Sequence, residues 1–167
     1  MLKTKEITLI AILTTILFVQ EQLLSFIPNI QLTFLLIVIY SKVLGLSKTL
    51  IIIVLHVILD TLINGSFTPL IIVPMLIGYS MAPITLQVLF KNAKTPLFLA
   101  LFGIVFACLY SISFVIINVL ILDIKLLTYI VADIPFTIIL AMSNFLTILW
   151  LYEPLSKLLI RIIQKDN

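Results

Sequence analysis

The sequence is poor in charge. Asp, Glu, Lys and Arg together make up only 10% of the 167 residues, whereas 63% are hydrophobic. Soluble domains carry about 25% charged residues, because their surface must be hydrated. The mean hydropathy of +1.35 therefore indicates that lipid surrounds most of these side chains. This composition excludes a soluble enzyme and a disordered chain.

Three further scarcities exclude classes of site. Cys108 is the single cysteine, so neither an internal disulfide nor a cysteine-rich metal site can form. The four glycines make no phosphate-binding loop, and the single histidine, His56, excludes a His-Glu-x-x-His zinc site. The Gly-x-Ser-x-Gly motif of hydrolases is absent. The chain is therefore predicted to be no enzyme, to hold no cofactor of its own and to bind no nucleic acid.

Six apolar segments alternate with Pro, Gly, Asn and Ser. A membrane-spanning helix takes about 20 residues, so a chain of this length allows about six spans. The sequence predicts an all-α integral membrane protein, with spans at residues 6–27, 31–46, 49–64, 69–90, 96–122 and 126–163.

Details of these segments refine the prediction. The second and third spans are short, which predicts tilt or partial exposure. Pro154 predicts a break in the last span, followed by an amphipathic tail. We expect one transmembrane domain over residues 1–167, with residues 1–5 and 164–167 as short cytoplasmic ends.

The few basic residues are distributed unevenly between the two sides of such a bundle. With six spans and both termini on one side, every Lys and Arg except Lys125 falls on the side of the termini. Short cytoplasmic loops of membrane proteins are enriched in Lys and Arg. The N- and C-termini are therefore predicted to be cytoplasmic.

Polar residues inside the spans cluster in the predicted outer half. His56, Asp60 and Asn64 are spaced by four residues and so share one face of the third span. Ionisable groups within a span usually face a cavity or the bundle interior. We predict an outward-open pocket, floored by the third and sixth helices and roofed by the loop between the first two. The candidate solute-binding residues are Glu21, Asn29, Gln31, His56, Asp60, Asn64, Tyr110, Tyr129, Asp133, Phe136 and Asn144.

Several of these residues also have structural interpretations. His56 and Asp60 can form a buried pair that joins helices. Asp133 precedes Pro135 and can cap a helix start, where a carboxylate favours the helix dipole. Asn144 can hydrogen-bond between helices.

Small residues mark the first span. Ala11 and Thr15 are four residues apart, a spacing that lets a second helix approach closely. This pattern fits a docking face for a partner subunit, and it also fits ordinary packing within the bundle.

Four segments carry a resemblance to a known family. They are IPNIQ (27–31), LDTLINGS (59–66), YIVADIPF (129–136) and LYEPL (151–155). With six short helices and no ATPase motif, the chain resembles, over essentially its whole length, the substrate-binding S-components of energy-coupling factor (ECF) vitamin transporters. The family has Ala-x-x-x-Ala on its first helix, and here Thr15 replaces the second alanine.

The resemblance implies a role in uptake. An S-component captures a micronutrient at the outer face, topples within the membrane and releases the solute inside. A coupling transmembrane subunit (T) and two ATPase subunits (A and A′), which bind the ATP, drive this cycle. The implied location is the cell membrane of a low-GC Gram-positive bacterium, with Ala11 and Thr15 docking on the coupling subunit.

The acidic candidates suggest the kind of solute. Glu21, Asp60 and Asp133 would repel an anion, and carboxylates suit hydrogen-bond donors or cations. With the aromatic candidates available for stacking, the residues favour a neutral or cationic aminated heterocycle.

Three other functions stay open at this point. A membrane scaffold of the rod-shape (MreD) type has similar size and texture and needs no ligand. A secondary carrier would use His56 and the acids without a partner. An intramembrane enzyme is disfavoured, because no nucleophile–base pair is present.

Overall fold

The computed structural model describes residues 4–165, and every regular element within them is an α-helix. The six helices are α1 Thr4–Leu24, α2 Thr33–Leu44, α3 Leu46–Ile63, α4 Pro69–Val88, α5 Pro96–Leu122 and α6 Leu126–Lys165. Five of them are long and apolar enough to cross a membrane, and only α2, with 12 residues, is shorter. The predicted all-helical architecture of a membrane protein is confirmed at this level.

The helix boundaries follow from local backbone chemistry. α4 and α5 begin at Pro69 and Pro96, where the missing N–H costs nothing because the first turn has no acceptor for it. Asn29, with a φ of 59°, turns the segment between α1 and α2. Gly45 alone separates α2 from α3, and its φ of 85° is one that glycine adopts without strain.

Helix α2 is the centre of the bundle. Its residues 33–41 are all buried, and it contacts each of the other five helices. Of the two alternatives expected for the short second span, tilt or partial exposure, partial exposure is therefore wrong. From Phe34 to Tyr40 the helix is apolar on all sides, as is typical of a helix enclosed by other helices.

The other helices surround α2 in the order α1, α3, α4, α5, α6, and each packs on the next one in this order. The first and last helices of this order do not meet: within the described chain, α1 packs only on α2 and α3, and α6 packs only on α5 and α2. A seam consequently remains open between α1 and α6.

Aromatic rings fill the space between α2, α4 and α5. The ring centroid of Phe34 lies 5.4 Å from that of Tyr79 and 5.7 Å from that of Tyr110. Gly78 makes this packing possible, since a Cβ placed there would lie 2.6 Å from Tyr110 Cδ2 and 3.1 Å from Tyr110 Cα. α4 and α5 are thus in close contact at Gly78 and Tyr110.

Helix α6 continues through Pro154 without a break, contrary to expectation. A proline removes one helical hydrogen bond, but it need not end a helix that is supported on both sides of it. Here Ser156 Oγ donates to Glu153 O at 3.0 Å, and Lys157 pairs with Glu153 across the same turn. Residues 4–5 and 164–165 of the expected termini are likewise helical, while 1–3 and 166–167 lie outside the described residues.

The two ends of the bundle differ in charge. The loop end carries the connections at residues 25–32, 64–68 and 123–125. At the lysine end, defined by Lys42, Lys48 and Lys91, Lys42 Nζ donates to Phe90 O at 2.7 Å. Lys48 there pairs with Glu6 at 2.7 Å, joining the starts of α3 and α1.

Candidate functional site

A cavity of about 350 Å³ lies at the loop end. The end of α1, the α1–α2 connection and the end of α3 form its walls. Most of the side chains that line it are polar, in a chain that has few of them. The lining residues are Glu21, Gln22, Leu24, Ser25, Ile27, Pro28, Asn29, Ile30, Gln31, Asp60 and Asn64.

Asp60 is anchored in the cavity wall through one oxygen. Its Oδ1 accepts hydrogen bonds from Gln22 Nε2 at 2.9 Å and from Asn64 Nδ2 at 2.8 Å. Its Oδ2 makes no hydrogen bond to any residue from 4 to 165, although the residue is only 7% exposed. One carboxylate oxygen therefore stays available to a ligand.

Glu21 and His56 form an ion pair behind this wall. His56 Nε2 lies 3.0 Å from Glu21 Oε2, and the imidazole is completely buried. The ring is not oriented for a linear hydrogen bond along this contact, and its Nδ1 has no partner among the described residues. Glu21 Oε1 also makes no hydrogen bond within the described chain, so Glu21 resembles Asp60 in leaving one oxygen free.

The α1–α2 connection is held in place by side chains of α1 and α6. Gln20 Oε1 accepts from Leu32 N at 2.8 Å. Gln31 N and Gln31 O both bond Ser143 Oγ, each at 3.2 Å, and this contact links the connection to α6. The cavity roof is thus fixed to the middle of α6 and has a defined position.

Two tyrosines extend inward from His56 without reaching the cavity. The ring centroid of Tyr79 lies 5.9 Å from that of His56 and 4.8 Å from that of Tyr110. Tyr110 therefore belongs to the aromatic packing beneath the ion pair and not to the cavity wall.

The α6 candidates form a separate polar cluster with α5. Asp133 Oδ2 accepts hydrogen bonds from Ser111 Oγ and from Thr137 Oγ1. Tyr129 Oη accepts from Asn118 Nδ2 at 3.2 Å. Asp133 precedes Ser143 by ten residues, or about 15 Å of helix, and does not line the cavity. It also lies well inside α6, which excludes a capping role.

The remaining α6 candidates lie elsewhere. Phe136 is 49% exposed on the outside of the bundle. Asn144 is fully buried and donates from Nδ2 to Gly103 O at 3.1 Å, a bond that joins α6 to α5.

The structure thus brings together only part of the predicted set. Glu21, Asn29, Gln31, Asp60 and Asn64 line one cavity, and His56 lies directly behind it. The sixth helix was predicted to form part of the pocket floor, but in the structure the end of α1 takes this position.

Two polar lining residues, Gln22 and Ser25, were not predicted from the sequence. The only signal for Gln22 is its place in the polar run 20–22, which interrupts an apolar helix near its end.

The chemistry of the cavity is acidic and hydrogen bonding. Two carboxylates and several side-chain amides line it, and the described lining residues include no Lys or Arg. They include no aromatic ring either, so they offer no surface on which a flat ring could stack. Within residues 4–165 no cluster of His, Cys, Asp and Glu is suited to a metal ion.

A second, apolar cavity of about 710 Å³ occupies the open seam at the lysine end. It lies between the first half of α1, the middle of α2 and the last turns of α6. Ala11 and Thr15 lie beside it on α1, and both are exposed.

Comparison of the chain with models of protein families, with curated protein sequences and with solved structures finds no match.

Proposed function

We propose that the protein is the membrane-embedded substrate-binding subunit of an ECF-type importer in a bacterial cell membrane. The observation that carries this proposal is the polar cavity at one end of an otherwise apolar bundle. Buried acids are costly in a bilayer and are usually retained for a ligand or an ion. A scaffold protein has no use for such a cavity.

The charge asymmetry supports uptake from outside. Lysines concentrate at the end opposite the cavity, and short basic loops face the cytoplasm. In this orientation the cavity opens to the exterior and captures a small, vitamin-like solute there.

Dependence on partners is the second part of the proposal. The sequence has no phosphate-binding loop, so energy for uphill transport comes from two ATPase subunits through a coupling transmembrane subunit. The open α1–α6 seam and the exposed Ala11 and Thr15 offer that coupling subunit an apolar surface. After docking, the subunit topples and releases the solute inside.

Solute retention tests the binding role. Mass spectrometry of small molecules released from the purified, detergent-solubilised protein is expected to detect a defined metabolite. Asp60→Ala should weaken its retention about a hundredfold, because a charged hydrogen-bonding partner is lost. Asp133→Ala removes an equal carboxylate outside the cavity and should retain the solute. An empty wild-type protein, after incubation with vitamins and nucleobases, contradicts the proposal.

Docking on the coupling subunit is a separate prediction. Ala11→Leu places a large side chain on the exposed face of α1 and should weaken copurification with the coupling and ATPase subunits about tenfold. Ala132→Leu makes the same change on an exposed face of α6 and serves as the control. Solute retention should be unchanged in both variants. Equal copurification of the two variants contradicts docking through α1.

A second candidate function is a proton-coupled carrier that works alone. The buried His56–Glu21 pair favours it, since such pairs occur in proton relays of transporters. If proteoliposomes that contain only this protein take up a solute when a pH gradient is applied, the protein is a carrier. That result would replace the proposal that it is an importer subunit.

A further inference from the structure

The charges that line the cavity indicate the charge of the solute, which the proposed function leaves open. This inference rests on the proposed function. His56 lies 3.0 Å from Glu21 and can offset at most one carboxylate charge. Asp60 has amide partners only on Oδ1, and none of the described residues that line the cavity is Lys or Arg. At least one of the two carboxylates, Glu21 and Asp60, is therefore left without a counter-charge from the described residues.

Two cavity-lining side chains, Asp60 and Gln31, each have an atom without a hydrogen-bond partner in the described chain, and these atoms also indicate the chemistry of the solute. Asp60 is 7% exposed, yet its Oδ2 lacks a partner. Gln31, at 9% exposure, bonds through its backbone and through Oε1, while its Nε2 makes no hydrogen bond within residues 4–165. Neither atom is among the buried unpaired atoms of the described residues, and both residues line the cavity, so the two atoms are accessible to a ligand that supplies partners. The acid needs a donor, and the amide nitrogen needs an acceptor.

We propose that the solute is a small organic monocation that also carries a neutral hydrogen-bond acceptor. Its cationic N–H group binds the free oxygens of Asp60 and Glu21, and its acceptor binds Gln31 Nε2. Charge-assisted hydrogen bonds of this kind are about twice as strong as neutral ones. Because the lining residues that the structure describes include no aromatic side chain, charge and hydrogen bonding select the solute, and a flat ring is not required.

A series of three pyridines with matched shape tests the charge. Aminomethylpyridine is a cation at neutral pH, hydroxymethylpyridine is neutral and isonicotinate is an anion, and all three present the ring nitrogen as acceptor. Thermal unfolding of the purified full-length protein is followed with each at millimolar concentration, because a ligand that binds the folded state raises its stability. We expect the cation alone to raise the unfolding temperature.

Two variants locate the effect. Asp60→Asn removes the charge but keeps an Oδ1 that can accept from Gln22 and Asn64, so the wall remains formed. It should weaken binding of aminomethylpyridine about ten- to a hundredfold. Asp133→Asn makes the same change in the α5–α6 cluster and should leave binding as in wild type.

Three results would overturn this inference: equal binding of a neutral or anionic pyridine, unchanged binding of the cation by Asp60→Asn, or no stabilisation by any of the three. Mass spectrometry of the retained solute, described above, distinguishes failure of this inference from failure of the proposed function. If the wild-type protein retains a neutral or anionic solute and Asp60→Ala loses it, the proposal of a cationic solute fails. The proposal that the protein is a substrate-binding subunit would still stand.

Discussion

Gly78→Val is expected to destabilise the folded protein by about 3 kcal/mol, since overpacking a closely packed interior typically costs that much. The added Cβ would lie 2.6 Å from Tyr110 Cδ2 and 3.1 Å from Tyr110 Cα, and the second of these is backbone. A flexible side chain could move aside, but the α5 backbone can yield only by separating from α4. Tyr110 also packs on Phe34 and Tyr79, so its ring has little room to retreat.

The measurement for Gly78→Val is unfolding in detergent, followed by circular dichroism, with Ala132→Val as the control. The control introduces a valine on an exposed face of α6, where lipid or detergent can accommodate it. Gly78→Ala should lie between wild type and Gly78→Val. Equal stability of Gly78→Val and Ala132→Val would show that α4 and α5 are not in close contact.

The second large effect is expected for His56→Ala. The change leaves a cavity at a fully buried position and removes the ion-pair partner of Glu21. Loss of one member of a buried pair and the empty volume each destabilise, and together we expect about 3 kcal/mol. Glu21 keeps partial access to water, with 22% of its side chain exposed, which moderates the electrostatic part.

A double-mutant cycle isolates the pair. If the two residues act as an ion pair, the double variant His56→Ala/Glu21→Gln should lose less folding stability than the two single variants lose in sum. Lys157→Ala breaks the exposed pair with Glu153 and should change stability little, because water solvates both charges. Additive single losses at His56 and Glu21 would contradict the coupling.

Helix boundaries were largely predictable because they depend on local chemistry. The starts of α4, α5 and α6 at Pro69, Pro96 and Leu126 coincide with those expected from the sequence. The continuity of α6 through Pro154 was not predictable, because the effect of a proline depends on the packing around it.

The central position of α2 could not be deduced from its sequence. In a soluble protein, uniform hydrophobicity indicates burial, but lipid is as apolar as the interior of a helical bundle. The pattern of α2 is therefore compatible with either surrounding. Its short length suggested exposure, whereas in the structure the longer helices enclose it.

The candidate site illustrates what spacing can and cannot predict. Asp60 and Asn64 share a helical face and meet the same cavity, since both lie on one helix. Whether Asp133 joins them depends on how α6 is placed against α1, and no spacing within a helix contains that information. Close packing of α5 and α6, with Gly103 against Asn144, directs Asp133 towards Ser111 instead.

The central position of α2 has a consequence for biosynthesis. At 12 residues it is about 18 Å long, against a hydrocarbon core of about 30 Å, so by itself it matches a bilayer poorly. Of the helices that enclose it, only α1 precedes it in the chain, and α1 contacts it sparsely compared with α4 and α6. α6 follows the other five helices of the described chain. α2 thus acquires most of its neighbours only after its own synthesis.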